Sequence, residues 1–382
     1  MKSCIRIPKV YIPRKDFAVW PSLDRDRFAF DRAYWERVER ALGDSPSALR
    51  FLLPEECSEE ELKAYAAAVH EEMYRLLEGG ALEKLNRGAV LVKRETSSGV
   101  RDGIVLCIDL EAYTMSAGEV SLIRPSQEFD MEKARELCVL RSGAPLEFPH
   151  VTLFYRDKRE KIVRWLGEEL EEIYSVSRSE GNIRGYFIPE FDAAEVAADM
   201  YGKGEPCFAA ADGEEALAAA KLHWEALKPA LHREEIVNHP ARFLLAEFIN
   251  LYEDSVVLKP LHRLVREVEP EVFCDFFAKR VKCKRKGNSL YPAIRDGAEA
   301  VKIVDAVIAE FMKKNGGRVH HVREEALKML PEDGVAVVFN GIEKEELFSY
   351  LKGGALLPRH TFVLGEEADG RYHLEGREIS YD

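Results

Sequence analysis

The sequence predicts a mixed α/β protein, and three observations carry that reading. Short β-rich runs such as Ala89–Val92, Ile104–Ile108 and Val151–Tyr155 alternate with segments of helical period. The apolar run Cys207–Ala211 meets Asp212-Gly213 and opens at once into a helical pattern, the junction of a strand, a tight turn and a helix. At 382 residues, 46% hydrophobic and 32% charged, the chain can bury a sizeable core in one large domain or two lobes.

The elements follow in order. Asp31 to Leu42 carries Tyr34, Trp35, Val38 and Leu42 at helical spacing and stops at Gly43. Ser58-x-x-Glu61 reads as a capping box for a helix with Leu62, Tyr65, Val69, Met73 and Leu76 on one stripe, ended by Gly79-Gly80. Ser97-Ser98-Gly99 supplies turn residues between two β-rich runs and so predicts a hairpin. Val151–Tyr155 reads as a buried strand, Lys161 to Tyr174 as an amphipathic helix, and Gly185–Ile188 as a strand. Helices are expected from Glu214 to about Leu227 and from Pro240 to about Leu251, followed by the run Ser255–Leu258. After Leu264 the pattern restarts. It gives a helix from about Ala300 to Lys314 stopped by Asn315-Gly316-Gly317, strands near Val319 and at Val335–Phe339, and a helix from Lys344 to Leu351. The restart divides the chain into an α/β body, residues 1–265, and a smaller C-terminal α/β lobe, residues 266–382.

Charge and cysteines narrow the function. A net charge of −13 argues against a nucleic-acid partner, because such affinity comes largely from basic groups that release counterions. The seven cysteines are scattered without a Cys-x-x-Cys pair, so neither a disulfide framework nor a zinc site is indicated, and no metal ligand set is assigned. No apolar run approaches the roughly 18 residues of a membrane span, and the first residues lack a signal-peptide core. A cytoplasmic protein with no membrane partner is expected.

The chemistry concentrates at Asp212-Gly213. A strand, a glycine turn and a helix start bring free N–H groups and the positive end of the helix dipole to one point, an arrangement suited to anions. Glu214 and Glu215 occupy the first two helical positions and would repel a phosphate there. They read either as compensation of the helix dipole or as a site for a metal or an amine. His320-His321 would point to opposite faces of a strand, and no partner stands at ligand spacing, so the pair reads as non-metal. The basic run Arg280–Lys286 reads as a solvated turn, and His223 as a packing residue.

Many ordered segments together resemble a bacterial family known as domain of unknown function 1015, common in clostridia and often labelled ParB-like. They include Arg94-x-Thr96-x-Ser98-Gly99-x-Arg101-x-Gly103, Leu122-Ile-Arg124, Ala144-Pro-Leu-Glu147-x-Pro149-His150, Asp212-Gly213, Asn238-His-Pro-Ala-Arg242, Pro260-x-His262-Arg263 and Thr361-Phe362-x-x-Gly365-Glu366. The resemblance runs nearly end to end and is weakest over residues 267–317. It implies a ParB/sulfiredoxin-like fold in which the Asp-Gly turn handles phosphate, with ATP or ADP and Mg²⁺ as cofactors. Relatives of that fold include kinases of free serine. The resemblance assigns Gly213, Glu214, Arg124, His262 and Arg263 to cofactor binding and Asp212, Glu215 and Gln127 to the positions of catalysis, with Glu128, one position over, as the candidate substitute for the lost carboxylate.

The chain departs from the family pattern at the reactive positions. Glu214, Glu215 and Ala216 stand where an Asn-His-Ser type triplet is usual, so the imidazole is missing. Gln127 stands where the second motif has glutamate, and an amide cannot serve as a carboxylate base. Glu128, one position on, would face the other way on an extended segment. Two functions remain open. One is a catalytically degenerate protein that binds a small molecule or nucleotide in a regulatory role. The other is an enzyme with changed chemistry, either a phosphotransferase acting on a small hydroxylated amino acid or a divalent-cation site built from Asp212, Glu214, Glu215 and Glu128.

Overall fold

The Leu82–Thr96 and Gly99–Asp109 strands form a long hairpin in which Thr96 pairs with Gly99, as the turn residues predict. This hairpin lies within a ten-stranded mixed sheet of the computed structural model, which describes residues 4–14, 19–28, 31–54, 57–166, 170–201, 206–328 and 330–381. The main path of the sheet runs Ile123–Arg124, Phe208–Asp212, Thr152–Tyr155, Phe243–Asn250, Gly99–Asp109, Leu82–Thr96, Ile183–Pro189 and Glu171–Val176. Apolar residues from both faces form the core, with Trp224 and Leu217 of the Glu214–Leu227 helix among those packed on one side. The fold is mixed α/β.

The helix starts follow local chemistry. Asp31 accepts from the Tyr34 N–H and caps Arg32–Leu42, while Ser58 and Glu61 make the expected reciprocal capping box of Glu59–Glu78.

Two expected helices give way to strands, one after a short turn and one after a single short helix. Residues 240–251 give only a short turn, Pro240–Arg242, followed by the strand Phe243–Asn250. That strand lies inside the sheet, parallel to Thr152–Tyr155 and antiparallel to Gly99–Asp109, and is buried at every position. A strand buried on both faces has no period of two to read, so its apolar run resembles a buried helix. Over residues 161–174 the helix stops at Trp165, and Glu171–Val176 pairs with Ile183–Pro189. The helix expected over residues 344–351 is a 3₁₀ turn, Lys344–Glu346, followed by a single turn, Leu347–Tyr350.

A second sheet of five strands has the order Cys283–Lys286, Ser289–Pro292, Val335–Val337, His262–Arg266 and Arg318–Val322. The Pro270–Ala278 and Gly297–Asn315 helices cover it through Phe273, Phe277, Val304 and Phe311. The basic run lies at its edge, where Arg280 pairs with Glu310 at 2.7 Å and Arg285 pairs with Glu271 at 2.5 Å.

Beyond this sheet the chain returns to the large one. Arg377–Glu378 pairs with Leu146–Glu147, Tyr11 bridges to Gly376, and the Trp20 Nε1–H donates to the Leu374 carbonyl at 3.1 Å. Two buried ionic groups fasten the return. Arg371 bonds Glu247 at 2.8 Å and Glu375 at 2.9 Å, and Glu147 pairs with Arg141 and Arg377. Glycine at 103 makes room for Glu247, because a Cβ there would lie 2.0 Å from the carboxylate oxygen. Among the described residues no helix is long and apolar enough to cross a membrane.

Candidate functional site

The Phe208–Asp212 strand ends where Gly213 turns the chain with φ +81° and ψ +31°. Two constraints require glycine there. The left-handed backbone is unfavourable for other residues, and a Cβ would sit 3.1 Å from Val151 Cα and 3.4 Å from His150 Nε2. The Glu214–Leu227 helix starts immediately after, and its acidic first turn lies at the base of a cleft of about 830 Å³.

Asp212, Glu214, Glu215, Gln127 and Glu128 all line this cleft, and Gly213 lines a smaller recess beside it. Asp212 accepts from Arg27 Nη2 through one oxygen and from the Gly213 N–H at 3.0 Å through the other. Burial raises its carboxyl, but the Arg27 guanidinium together with His150 outweighs that and holds it below the usual range. Glu215 faces inward and accepts from the Asp130 N–H at 3.1 Å. Asp130 in turn caps the Met131–Arg141 helix. Glu214 is 7% exposed, and its Oε1 has no hydrogen-bond partner. Burial first, then the adjacent charges of Glu215 and Asp212, push its carboxyl up to about 8. The two glutamates therefore differ: Glu214 is held protonated at neutral pH, and Glu215 ties two helix starts together.

Gln127 has a structural arrangement of its own. Its Oε1 accepts from the Thr361 and Phe362 N–H groups at 2.8 and 3.0 Å, and its Nε2 donates to the Phe362 carbonyl at 3.2 Å. Backbone bonds from Leu357 N to Ser126 O and from Glu128 N to Leu357 O extend this seam between the segments.

Three residues assigned to cofactor binding lie elsewhere. Arg124 is buried and donates to the Ser116 and Gly354 carbonyls at 2.7 and 2.6 Å. His262 Nδ1 accepts from the Phe339 N–H at 3.2 Å. Arg263 is fully buried, bonds Asp305 at 2.7 and 2.8 Å, and donates to the Leu261 and His360 carbonyls. Guanidiniums with these internal partners brace loops and do not face the cleft.

The cations that do face it are Arg27, Lys133, Arg323 and Arg359, set among eight carboxyl groups. Each already has a partner. Arg27 pairs with Asp212, Lys133 with Asp26, Arg359 with Asp130 at 3.2 Å, and Arg323 donates to the Gly365 carbonyl at 2.5 Å. Burial, with Arg27 nearby, brings Arg323 down to about 10. His321 and His360 stack on the same wall with ring centroids 3.9 Å apart and an interplanar angle of 11°. Burial lowers them to about 4 and about 2, so the pair is a neutral flat surface at pH 7. Phe28 and His360, at φ +53° and +59°, both line the cleft. Left-handed backbone at non-glycine residues costs of order 1–3 kcal/mol and clusters at functional sites.

The sequence matches the family described as protein of unknown function, DUF1015, over residues 13–354. The chain belongs to this family. A comparison with curated proteins found no match. Among solved structures, the chain is similar to a free serine kinase variant in complex with AMP, at 11% identity over 72% of this chain and 92% of that one, with a TM-score of 0.40. It is also similar to a conserved hypothetical protein from Pyrococcus furiosus, at 10% identity over 70% and 93%, with a TM-score of 0.36.

Reasoning from sequence missed most of the far wall. His321 reads only as half of a non-metal pair, and the positive φ of Phe28 and His360 leaves no compositional trace. The available signal was the Thr361-Phe362-x-x-Gly365-Glu366 segment, whose backbone receives Gln127 and whose side chains border the cleft.

Proposed function

We propose that this protein is a ligand-binding, regulatory member of its family that has lost the ancestral phosphoryl-transfer chemistry of a ParB/sulfiredoxin-like nucleotide-binding fold and works in the cytoplasm. The single observation that carries this reading is the use of Gln127. Three of its amide bonds go to the backbone of Thr361 and Phe362, so the group at the place of a catalytic carboxylate holds two segments together while its amide also reaches Glu214. The head of the Glu214–Leu227 helix supports the same reading. A phosphate there would meet Glu215 and Asp212, and the cleft's four cations already have partners. Seven carboxylates, with the protonated Glu214 beside them, around a neutral imidazole stack suit a small ligand with an ammonium group and a flat or apolar part.

The test is calorimetric titration with ATP, ADP and a panel of small amines and amino acids, alongside a phosphoryl-transfer assay on free serine. Saturable amine binding without turnover is expected. Sustained phosphorylation of serine would overturn the reading.

One observation favours a second reading, an enzyme of changed chemistry. Glu214 is a cleft carboxyl pushed up to about 8 with a bare buried oxygen, the condition of a general acid near neutral pH. Turnover abolished in Glu214→Gln would identify it.

A further inference from the structure

Behind the Asp-Gly turn, three side chains far apart in sequence converge. Asp24 Oδ2 lies 3.7 Å from His150 Nδ1 and 3.7 Å from His373 Nε2, and the three atoms fall within 4.8 Å of one another. The imidazole centroids are 4.8 Å apart. A separation of 3.7 Å is too long for a hydrogen bond, and both ring nitrogens are buried without a hydrogen-bond partner. His373 is 7% exposed, so its Nε2 is not satisfied by bulk water.

The tautomer of His373 gives this arrangement its meaning. Nδ1 lies 2.5 Å from the Phe148 carbonyl, which can only accept, so Nδ1 carries a proton and Nε2 is the nitrogen that faces the Asp24 carboxylate. A ring nitrogen facing a carboxylate calls for positive charge between them, a proton or a metal ion, and a second unpartnered imidazole nitrogen on the same carboxylate favours the ion. A backbone carbonyl that fixes the ring through the opposite nitrogen is the usual support of a metal-binding histidine.

We propose that Asp24, His150 and His373 bind one divalent transition-metal ion of the class that favours imidazole with carboxylate, such as Zn²⁺, Co²⁺ or Fe²⁺. Ligand bonds of about 2.0–2.2 Å at tetrahedral angles would set the three atoms roughly 3.3–3.6 Å apart, so the two contacts to Asp24 close by a few tenths of an ångström and the imidazole nitrogens draw together by about 1 Å. Three protein ligands leave coordination positions open, and a recess of about 50 Å³ lined by Asp24 and His150 together with Asp26, Asp212 and Glu215 has room for water on the ion. Lys133, Arg27 and Arg371 line the same recess; each is paired, with Asp26, with Asp212, and with Glu247 and Glu375, and Lys133 and Arg27 also act on the charge of Asp24. The opposite edge of His150, Nε2, lies 3.4 Å from where a Cβ on Gly213 would stand, so the bound charge lies one imidazole width behind the turn.

The experiment is titration of chelator-stripped protein with Co²⁺, read by its visible absorption, followed by displacement with Zn²⁺. One equivalent is expected to bind, with affinity at least tenfold weaker in Asp24→Asn, His150→Gln and His373→Gln. No saturable binding at one equivalent, or binding unchanged in all three variants, overturns the proposal. Should the variants fail to fold, the wild-type imidazole resonances decide. One equivalent of Zn²⁺ perturbing two of the ten histidines supports the site, and an unchanged spectrum overturns it.

Discussion

Arg27 and Asp212 form an ion pair that ties the Asp-Gly turn to residues 24–28, and Arg27 also donates to the Glu366 carbonyl at 3.2 Å. One guanidinium thus joins three separate segments around the cleft. Arg27→Ala is expected to destabilise the protein toward the lower end of roughly 3–5 kcal/mol, because the remaining Asp212 keeps 26% of its side chain exposed. The sign with pH follows from the depressed Asp212 carboxyl. Its contribution is present above the unfolded value of 3.8 and is lost as pH falls through the lower folded value. Denaturant melts of wild type and variant should converge in strong acid.

Glu214 behaves oppositely. Its carboxyl rises from 4.5 to about 8 on folding, so between those values the folded state holds a proton that the unfolded chain has released. Its contribution to stability therefore falls as pH rises through this window and levels off above about 8. Glu214→Gln, which cannot ionise, should gain on wild type across the same window by on the order of a few kcal/mol, at about 1.4 kcal/mol per pH unit before relaxation. Chemical denaturation from pH 5 to 9 measures it, and parallel curves for the two proteins would refute the buried-acid reading.

Gln127→Ala should cost roughly 1–3 kcal/mol by leaving the Thr361 and Phe362 N–H groups without their acceptor. Gln127→Glu keeps the acceptor but sets a carboxylate oxygen against the Phe362 carbonyl, so it should be no more stable than the alanine variant. It should also gain no phosphoryl transfer. Thermal melts with a kinase assay check both.

Gly213→Ala is expected to lose at least about 1–2 kcal/mol from left-handed backbone alone, with a further loss from the 3.1 Å approach to Val151 Cα. Calorimetric unfolding measures the total, and a neutral substitution would show that the turn can relax.

Much of this organisation was legible because local chemistry states it. The Ser58–Glu61 box, the Gly99 hairpin and the Asp212-Gly213 turn depend on residues adjacent in sequence, and all three form as expected. What escaped depends on distance. Phe243–Asn250 is a strand because sheet neighbours bury both its faces, and Arg124 and Arg263 turn away from the cleft because carbonyls and Asp305 claim them. The stacking of His321 on His360 and the meeting of Asp24, His150 and His373 exist only once the chain has folded.

The return of residues 371–379 to the large sheet has a consequence for how the chain acquires its shape. The Tyr11 hydroxyl bonds Glu378, and Trp20 bonds the Leu374 carbonyl, so partners more than 350 positions apart meet in one layer. Closing so long a loop costs entropy before any contact repays it, and topologies of this kind fold slowly. During synthesis the body waits for a strand translated after the whole smaller sheet. Trp20 and Phe148 share their buried cluster with Tyr372, Leu374 and Ile379, so that cluster closes only when this last segment docks.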